Sequence, residues 1–518
     1  MTAAESETTP IAPTRRSFQR RRSGSGVLLG AKLDHGSRTS LQGQLHAIFQ
    51  ELILGGRLRP GARLPSTRGV TEELGISRNT VMLVFEQLRA EGYVSSRVGS
   101  GTRVSDQLPH VLLRSIRHRP AVVDTRTTLE ISARGRDVEA AFGGDPSWQP
   151  FFSPGMPAIE EFPFAAWSRL LSAEWSNPGL GALSADPAGY RPLREAVAEY
   201  VAAARGISCD EDQVIIVSGN REGTELATRV LLDEGDRAVV EEPGYPGTRA
   251  ALRASGVQAV PLRVDADGLM LSEAGPACRA ARMLLTAPSH QYPLGGSTSL
   301  ARRLQLITWG HTHRCWIVED DYDSEFRFSG RPLPSLYSLD PDGIVIYTGT
   351  FSKTAFPSLR LGYLIVPRKL VRASLKMKQA TTGPVTLVTQ RAMARFMETG
   401  AFDRHVRRMR GHYGQRRSAL HGALLEHVPD LLLPAQENAG LFLTTLLRPG
   451  LQAPGMDVAL TAQLRREGIH LEPLSPLYLG PTSRQGLIFG YGSLRQEGVA
   501  RALKTVARRL AALAMTDR

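Results

Sequence analysis

The sequence predicts an α/β protein in two parts: a small helical domain near the N-terminus and a much larger unit with a mostly parallel sheet. Three observations predict this organisation. The chain has 518 residues, several times the roughly 150 residues of an average domain. Apolar residues recur at helical spacing over residues 41–92, whereas short apolar runs alternate with helical stretches from about residue 141. The charge is also uneven, since the first 140 residues carry 21 Lys and Arg against 13 Asp and Glu.

Composition excludes several classes of protein. Hydrophobic residues make up 42% and charged residues 22% of the chain, which is typical of globular domains. No stretch approaches the roughly 18 consecutive apolar residues of a membrane span, and the N-terminus lacks the apolar segment of a secretory signal. Three widely spaced cysteines fit neither a disulfide framework nor a zinc cluster. We therefore expect a reduced, cytoplasmic protein with no metal site and no membrane partner.

The N-terminal part begins with a basic segment and continues as a compact unit. Residues 1–38 are polar, basic and without periodicity, which predicts disorder. Residues 39–106 are predicted to form a domain in which glycines end the helices and serine or threonine side chains begin them. The predicted order is helix, helix, helix and β-hairpin, with the four elements beginning at Leu41, at Ser66 or Thr67, at Ser77 and at Tyr93.

Three helices followed by a glycine-tipped hairpin form the plan of a winged helix-turn-helix, whose third helix enters the DNA major groove. The excess of positive charge favours the same polyanionic partner, although a solvated basic surface would look alike on charge alone. Arginine is suited to guanine or phosphate, asparagine to adenine, and glycine-rich backbone N–H groups to phosphate. The candidate DNA-binding residues are Arg68, Arg78, Asn79, Thr80, Arg97, Gly99, Ser100, Gly101 and Thr102.

The stretch RLRPGARLPSTRGVTEELGISRNTVMLVFEQLRAEGYVSSRVGSGTRV closely resembles the DNA-binding domain of GntR-type bacterial regulators. The resemblance covers residues 41–104 and implies binding to double-stranded DNA. Residues 107–140, which follow it, lack turn-to-turn apolar periodicity and are predicted to be a linker. A flexible linker of about 35 residues spans roughly 30–35 Å, enough to let one domain move against another.

Residues 141–518 are predicted to form one larger domain. Helical stretches at 224–232 and 300–309 separate several of its short apolar runs, which indicates a largely parallel sheet covered by helices. A helical segment from about residue 395 leads into a small α/β subdomain. The predicted strands are 213–217, 237–240, 283–286, 315–318, 344–348 and 361–366 in the main sheet, with 440–446 and 486–491 in the subdomain.

Two motifs at strand ends carry candidate chemistry. In TGTFSK, Lys353 follows small hydroxylated residues, and Arg360 comes seven residues later. A lysine that forms a Schiff base needs a lowered pKa, and arginine is suited to phosphate. In VEDDYD, Asp320 can pair with a pyridine nitrogen, and Tyr322 can donate to a phenolate oxygen. Taken singly, each motif also fits a surface lysine or a solvated acidic loop.

Two further turns fit the same cofactor. The turn SGNREG at 218–223 lies between a strand and a helix, where backbone N–H groups favour phosphate. Tyr245, in the turn EEPGY, offers an aromatic ring for stacking. Either segment is equally compatible with an ordinary turn.

Together, EEPGY, APSHQYPLG, VEDDYDSEFR, YTGTFSKTAFPSLRLGYL and RHVRRMRGHY resemble fold-type I aminotransferases, and more closely the MocR/GabR branch of the GntR regulators. The resemblance implies a fold-type I domain with pyridoxal 5'-phosphate and a homodimer that presents two winged helices to paired half-sites. It implies that Lys353 forms the internal aldimine, that Asp320 pairs with the pyridine nitrogen and that Tyr322 contacts the phenolate. The other residues it places at the cofactor are Tyr245 on the ring, Asn220, Arg221, Thr350 and Arg360 on the phosphate, and His290 and Gln291 in the pocket wall.

The sequence departs from the aminotransferase pattern at two positions. The final-domain motif R-L-x-F, whose arginine clamps the substrate carboxylate, reads here as IFGY from Ile488, and the nearest arginine is Arg484. Ser184 stands where a tyrosine that reaches the neighbouring subunit's cofactor is expected. Without a bidentate clamp, the orientation of an amino-acid substrate loses a main contributor. The departures weaken the case for transamination and leave cofactor binding intact.

The sequence thus favours a DNA-binding transcriptional regulator that depends on pyridoxal phosphate and senses either that cofactor or an amine or amino-acid effector. Two alternatives remain open. One is a working class I/II aminotransferase that carries a DNA-binding domain. The other is a DNA-binding protein whose cofactor fold is only a dimerisation scaffold.

Overall fold

Contacts divide the chain into two units, Met1–Glu130 and Ile131–Arg518. The computed structural model describes residues 33–34, 36–37, 39–97, 101–105, 131–141, 152–176, 179, 186–328, 330, 333–340, 343–428, 432–434, 439–482, 484–495 and 497–516. The predicted disordered segment 1–38 lies mostly outside these residues, as does the predicted linker up to residue 130. Among the described residues, no helix combines the length and the apolar character needed to cross a membrane.

The first unit contains the three predicted helices and the hairpin. A serine side chain caps each helix by accepting a hydrogen bond from the backbone N–H of the third helical residue: Ser40 from Gly43, Ser66 from Gly69 and Ser77 from Thr80. The elements are α1 (Leu41–Leu54), α2 (Thr67–Leu74), α3 (Arg78–Ala90), β1 (Val94–Arg97) and β2 (Gly101–Val104), with β1 and β2 antiparallel.

One apolar core holds this unit together. The rings of Phe49 in α1 and Phe85 in α3 meet edge to face, with centroids 5.4 Å apart. Val94 and Val104 pair across the hairpin and are both buried in the same core. The hairpin is therefore fastened to the helices through its apolar face, and the start of α3 is left at the surface.

The second unit is built on an eight-stranded sheet in the order β3-β10-β9-β8-β7-β4-β5-β6. Strands β4, β5, β7, β8 and β9 are parallel, β10 runs antiparallel to both of its neighbours, and β6 is antiparallel to β5. The strands are β3 (Val214–Val217), β4 (Arg237–Glu242), β5 (Gln258–Asp265), β6 (Gly268–Leu269), β7 (Met283–Thr286), β8 (Trp316–Asp321), β9 (Val345–Thr350) and β10 (Gly362–Ile365). The predicted largely parallel sheet is confirmed.

The α-helices of this unit begin inside the segment that the sequence predicted as linker. The first, Ala133–Ala141, is almost wholly exposed, so it has no buried stripe that periodicity could reveal. Arg134 in it pairs with Glu234 at 2.6 Å, which ties it to the second unit. The helices are α4 (Ala133–Ala141), α5 (Phe164–Ser176), α6 (Arg191–Arg205), α7 (Asn220–Leu231), α8 (Pro246–Ala254), α9 (Pro276–Arg279), α10 (Leu300–His313), α11 (Leu336–Leu339), α12 (Arg368–Thr381), α13 (Leu387–Glu398), α14 (Ala401–His427), α15 (Met456–Arg466) and α16 (Val499–Thr516).

The C-terminal subdomain has its own antiparallel sheet in the order β11-β12-β14-β13. Its strands are β11 (Leu432–Pro434), β12 (Phe442–Leu447), β13 (Glu472–Pro473) and β14 (Gly486–Gly490). Helices α14, α15 and α16 contribute to the core that covers this sheet. The two strands expected here correspond to β12 and β14.

Candidate functional site

A cavity of about 500 Å³ opens at the carboxyl ends of β4, β7, β8 and β9. Ligands of open α/β sheets bind in crevices at this edge. Eight of the ten residues predicted at the cofactor line the cavity: Asn220, Arg221, Tyr245, Asp320, Tyr322, Thr350, Lys353 and Arg360. The other two, His290 and Gln291, are buried and are not among the lining residues; His290 contacts Tyr322, and Gln291 contacts Glu241.

Lys353 follows β9 and is half-buried in the cavity wall. Its Nζ donates a hydrogen bond to the backbone oxygen of Gly155 at 2.7 Å. Burial lowers the pKa of Lys353, although the negative charges of Asp323 and Asp320 act to raise it. The amine is thus closer to its neutral, nucleophilic form than an exposed lysine.

Asp320 lies at the end of β8 and faces Asn220 at the start of α7. The Asn220 side-chain amide donates to the Asp320 carboxylate. Burial nevertheless raises the pKa of Asp320 to about 7, and the carboxylates of Asp321 and Glu241 act in the same direction. A cationic group placed against Asp320 would offset this cost and hold the carboxylate ionised.

Next to Asp320, the side chains of Tyr322, His290 and Asp323 form a hydrogen-bonded group. The Tyr322 hydroxyl donates to the backbone oxygen of His290 at 2.8 Å, and Nδ1 of His290 lies 3.0 Å from both carboxylate oxygens of Asp323. The imidazole stacks on Phe442, with ring centroids 4.8 Å apart. Gly440 has φ +82°, and a Cβ there would lie 1.9 Å from the imidazole, so this close approach requires glycine.

The turn between β3 and α7 has the features of an anion site. Gly219 has φ +117°, and no side chain caps α7, which begins at the next residue. The Arg360 guanidinium lies 3.3 Å from the Ser218 hydroxyl. The Thr350 hydroxyl lies 3.0 Å from that of Ser352. A helix N-terminus, a guanidinium and hydroxyl groups together suit a phosphate.

A second group of lining residues surrounds Tyr292, and the sequence did not identify all of them. Tyr245, whose ring is predicted to stack on the cofactor, is 46% exposed there and meets Tyr292 edge to face. Arg249 and Glu472 also belong to this group. Neither residue belongs to a recognisable motif. Arg249 lies within α8, and Glu472 reaches the cavity from the C-terminal subdomain.

One of the two sequence departures lies in this subdomain. Ile488 is fully buried in β14. Arg484, the nearest arginine, is exposed and is not among the lining residues of the cavity. Ser184 lies outside the described residues.

In the first unit, the predicted DNA contacts divide into three groups. Arg78 and Asn79 are exposed in the first turn of α3, whereas the Thr80 hydroxyl is 2.9 Å from that of Ser77 in the helix cap. Arg68 is largely exposed and pairs with Glu72 at 3.0 Å. Gly101 and Thr102 lie in β2, while Gly99, Ser100 and the Arg97 side chain lie outside the described part of the hairpin.

Two further side chains of the first unit, Arg63 and Met82, lie near the predicted contacts and were not identified from the sequence. Arg63 approaches Gly101 closely enough that a Cβ on that glycine would lie 2.9 Å from its Nε. Met82, one turn after Arg78 in α3, is 42% exposed. The spacing of four residues from Arg78, which places Met82 on the same face of the predicted helix, is the signal in the sequence for Met82, whereas Arg63 is found only from the fold.

A winged helix-turn-helix and an α/β unit with this site define a class of proteins, the DNA-binding regulators that carry an aminotransferase-like domain. The family of bacterial regulatory proteins called gntR matches residues 41–104, and aminotransferase class I and II matches residues 176–488. The chain belongs to the MocR-type family of GntR regulators, and it is a DNA-binding transcriptional regulator that depends on pyridoxal 5'-phosphate. The resemblance drawn from the sequence motifs is thereby confirmed.

Three known proteins illustrate the similarity. The probable rhizopine catabolism regulatory protein MocR of Rhizobium meliloti is 37% identical over 469 residues, which are 89% of this chain and 92% of that protein. The pyridoxine biosynthesis transcriptional regulator PdxR of Corynebacterium glutamicum is 33% identical over 456 residues, 88% of this chain and 92% of its own. The crystal structure of LysN, an α-aminoadipate aminotransferase from Thermus thermophilus complexed with N-(5'-phosphopyridoxyl)-L-leucine, has a TM-score of 0.64 at 27% identity and covers 74% of this chain and 96% of LysN.

Proposed function

We propose that the aminotransferase-like unit is a sensor in which an amine effector, or the cofactor itself, changes the affinity of the protein for DNA. The observation that carries this proposal is the contrast between the cofactor groups and the position of the carboxylate clamp. The groups suited to the cofactor line one cavity together, whereas Ile488, which stands where transaminases hold the substrate carboxylate, is fully buried and is not among the lining residues. Because the target is DNA, we place this regulator in the cytoplasm.

The lining residues fit pyridoxal phosphate, whose aldehyde reacts with amines and whose ring serves as an electron sink. Lys353 would hold the cofactor covalently through its neutral amine, and Asp320 would hold the proton of the pyridine nitrogen. Tyr322 would donate to the phenolate oxygen in place of the backbone oxygen of His290, to which its hydroxyl donates in the structure, and Tyr245 would cover the ring. The phosphate would be bound by Asn220, Arg221, Thr350 and Arg360. His290 and Gln291 would support the pocket wall through their contacts with the lining residues Tyr322 and Glu241.

We also propose a homodimer that binds paired half-sites on DNA. Phe164 and Trp175, at opposite ends of α5, are 43% and 67% exposed. Aromatic residues are enriched at interfaces between protein chains, which makes this helix a candidate for the dimer contact. The spacing of the half-sites would then follow from the geometry of the dimer.

The second candidate function is a working aminotransferase, which the presence of Lys353, Asp320 and the anion site together favours. The two functions are separated by testing one preparation twice. DNA fragments bound by the full-length protein are first selected and footprinted to define the operator. Its affinity is then measured with and without pyridoxal phosphate and a panel of amines, and keto-acid formation is assayed with the same panel. We expect effector-dependent affinity, typically worth about 1–3 kcal/mol of coupling. Steady turnover of about 1 per second or more together with unchanged DNA affinity would establish the aminotransferase instead.

The DNA surface yields a matched pair of substitutions. Arg78→Ala is expected to reduce discrimination between operator and scrambled DNA by about 1–3 kcal/mol, because a base-edge contact carries sequence information. Arg68→Ala is expected to weaken binding to both DNAs alike, because a phosphate contact carries none. Gel-shift titrations at several salt concentrations measure both effects. An Arg78→Ala protein that keeps the wild-type ratio of affinities would show that Arg78 does not read a base.

A further inference from the structure

The subdomain sheet contributes a carboxylate to the cavity next to the position of the absent clamp. Glu472 in β13 pairs with Ile488 in β14, and Ile488 pairs in turn with Thr444 in β12. Paired residues of adjacent strands present their side chains on the same face of a sheet. Ile488 and Phe442 belong to an apolar cluster against which Tyr292 and Tyr322 pack. This face is therefore directed at the cavity, and the charged residue that it adds to the lining is Glu472.

Within the described part of the chain, Glu472 has a single hydrogen-bond partner and no ion pair. The Tyr292 hydroxyl donates to its Oε2 at 2.6 Å. Burial raises the pKa of Glu472 despite that bond. A desolvated carboxylate without a cationic partner is costly unless other donors satisfy it, so the cavity offers acceptor capacity that a ligand can use.

In the part of the chain that the structure describes, no cation of the lining forms an ion pair with Glu472. Arg221 and Arg360 lie at the turn between β3 and α7, and Lys353 follows β9, so these three belong to the part of the cavity that suits the cofactor. Arg249 lies in α8, where burial lowers its pKa against the opposing negative charge of Glu242. Its Nη2 donates to the backbone oxygen of Pro476 at 3.5 Å. A nearby carboxylate thus acts on Arg249, whereas Glu472 has no cationic partner among the described residues.

We propose that Glu472, together with Tyr292, selects an effector in which a hydrogen-bond donor, a hydroxyl or a second ammonium, stands where an amino-acid substrate carries its carboxylate. The proposal rests on the proposed function of amine sensing and specifies the chemical class of the amine. Such a ligand would donate to Glu472, whereas a carboxylate in that place would meet the like charge of Glu472 and, with Ile488 in place of the arginine clamp, no cation from β14. Glu472 is in this sense a specificity-determining residue.

The test uses full-length protein loaded with pyridoxal phosphate and straight-chain amines of increasing length in three matched forms: amino alcohols, diamines and amino acids. Binding is followed by the change in cofactor absorbance, and operator affinity is measured in parallel. At the best chain length, we expect an amino alcohol or diamine to bind about tenfold or more tightly than the amino acid. In Glu472→Gln this preference should fall severalfold, most for the diamine, because the charge is removed while an acceptor for Tyr292 remains. Glu426→Gln, at an exposed site, should retain the wild-type preference.

The outcomes separate this proposal from the proposed function. Equal or tighter binding of the amino acids at every length would overturn the assignment of ligand class, most directly if Arg249→Gln abolished that binding, since Arg249 would then be the clamp. Uniform weakening of all three forms in Glu472→Gln would show a merely structural role and would equally overturn it. A clear preference in the absorbance titration with no effect of any amine on operator affinity would instead contradict sensing and leave the ligand preference standing.

Discussion

Lys353→Ala is expected to abolish the covalent attachment of pyridoxal phosphate to the protein. Lys353 is the lysine among the cavity-lining residues, and burial already lowers its pKa toward the range in which an amine attacks an aldehyde. After borohydride reduction, mass spectrometry of the wild-type peptide that contains Lys353 should show the mass of the cofactor. The visible absorbance of the bound cofactor should change with the loss of the attachment.

The control for this experiment is Lys376→Ala, which removes an exposed lysine of α12 and should leave the adduct unchanged. Circular dichroism of both variants establishes that they are folded. A reducible lysine adduct of undiminished yield in folded Lys353→Ala would assign the attachment to another lysine.

Phe49→Ala is expected to eliminate DNA binding at physiological temperature while leaving the cofactor site intact. Phe49 is fully buried, and its ring packs edge to face on Phe85. Truncation of a buried phenylalanine costs about 3–5 kcal/mol, a large part of the roughly 5–15 kcal/mol that stabilises a domain. Because the first unit has its own core, we expect its unfolding to leave cofactor absorbance unchanged. Gel shifts, calorimetry and cofactor absorbance measure the three quantities.

Glu51→Ala, at an exposed position of the same helix, provides the matched control and should retain both DNA binding and the melting transition of the first unit. If Phe49→Ala bound operator with wild-type affinity and melted at the wild-type temperature, the core described here would not govern the stability of the DNA-binding unit.

Local patterns account for the parts of the fold that were predicted well. The serine caps and apolar spacing of α1, α2 and α3 are properties of short segments, so the sequence displays them directly. The same patterns failed where burial is weak. Strand β5 at 258–265 was missed because only two of its eight residues are buried near the edge of the sheet, and α4 was assigned to the linker because it is almost fully exposed.

The sequence by itself determined the two domains, the family and the residues in motifs at strand ends, such as Lys353 and Asp320, because their chemistry and spacing are local. Only the tertiary structure decided which distant segments close the cavity. Lys353 meets Gly155 across 198 positions, and Tyr292 meets Glu472 across 180. The contact between Tyr292 and Glu472 depends on the register of β13 against β14 and on the packing of the subdomain. The segment that contains Gly155 is held on β14, where the backbone N–H of Gly490 donates to the backbone oxygen of Phe152. No short pattern in the sequence encodes such a register, because the register of two strands is set by which of their side chains are buried on one face of the folded sheet.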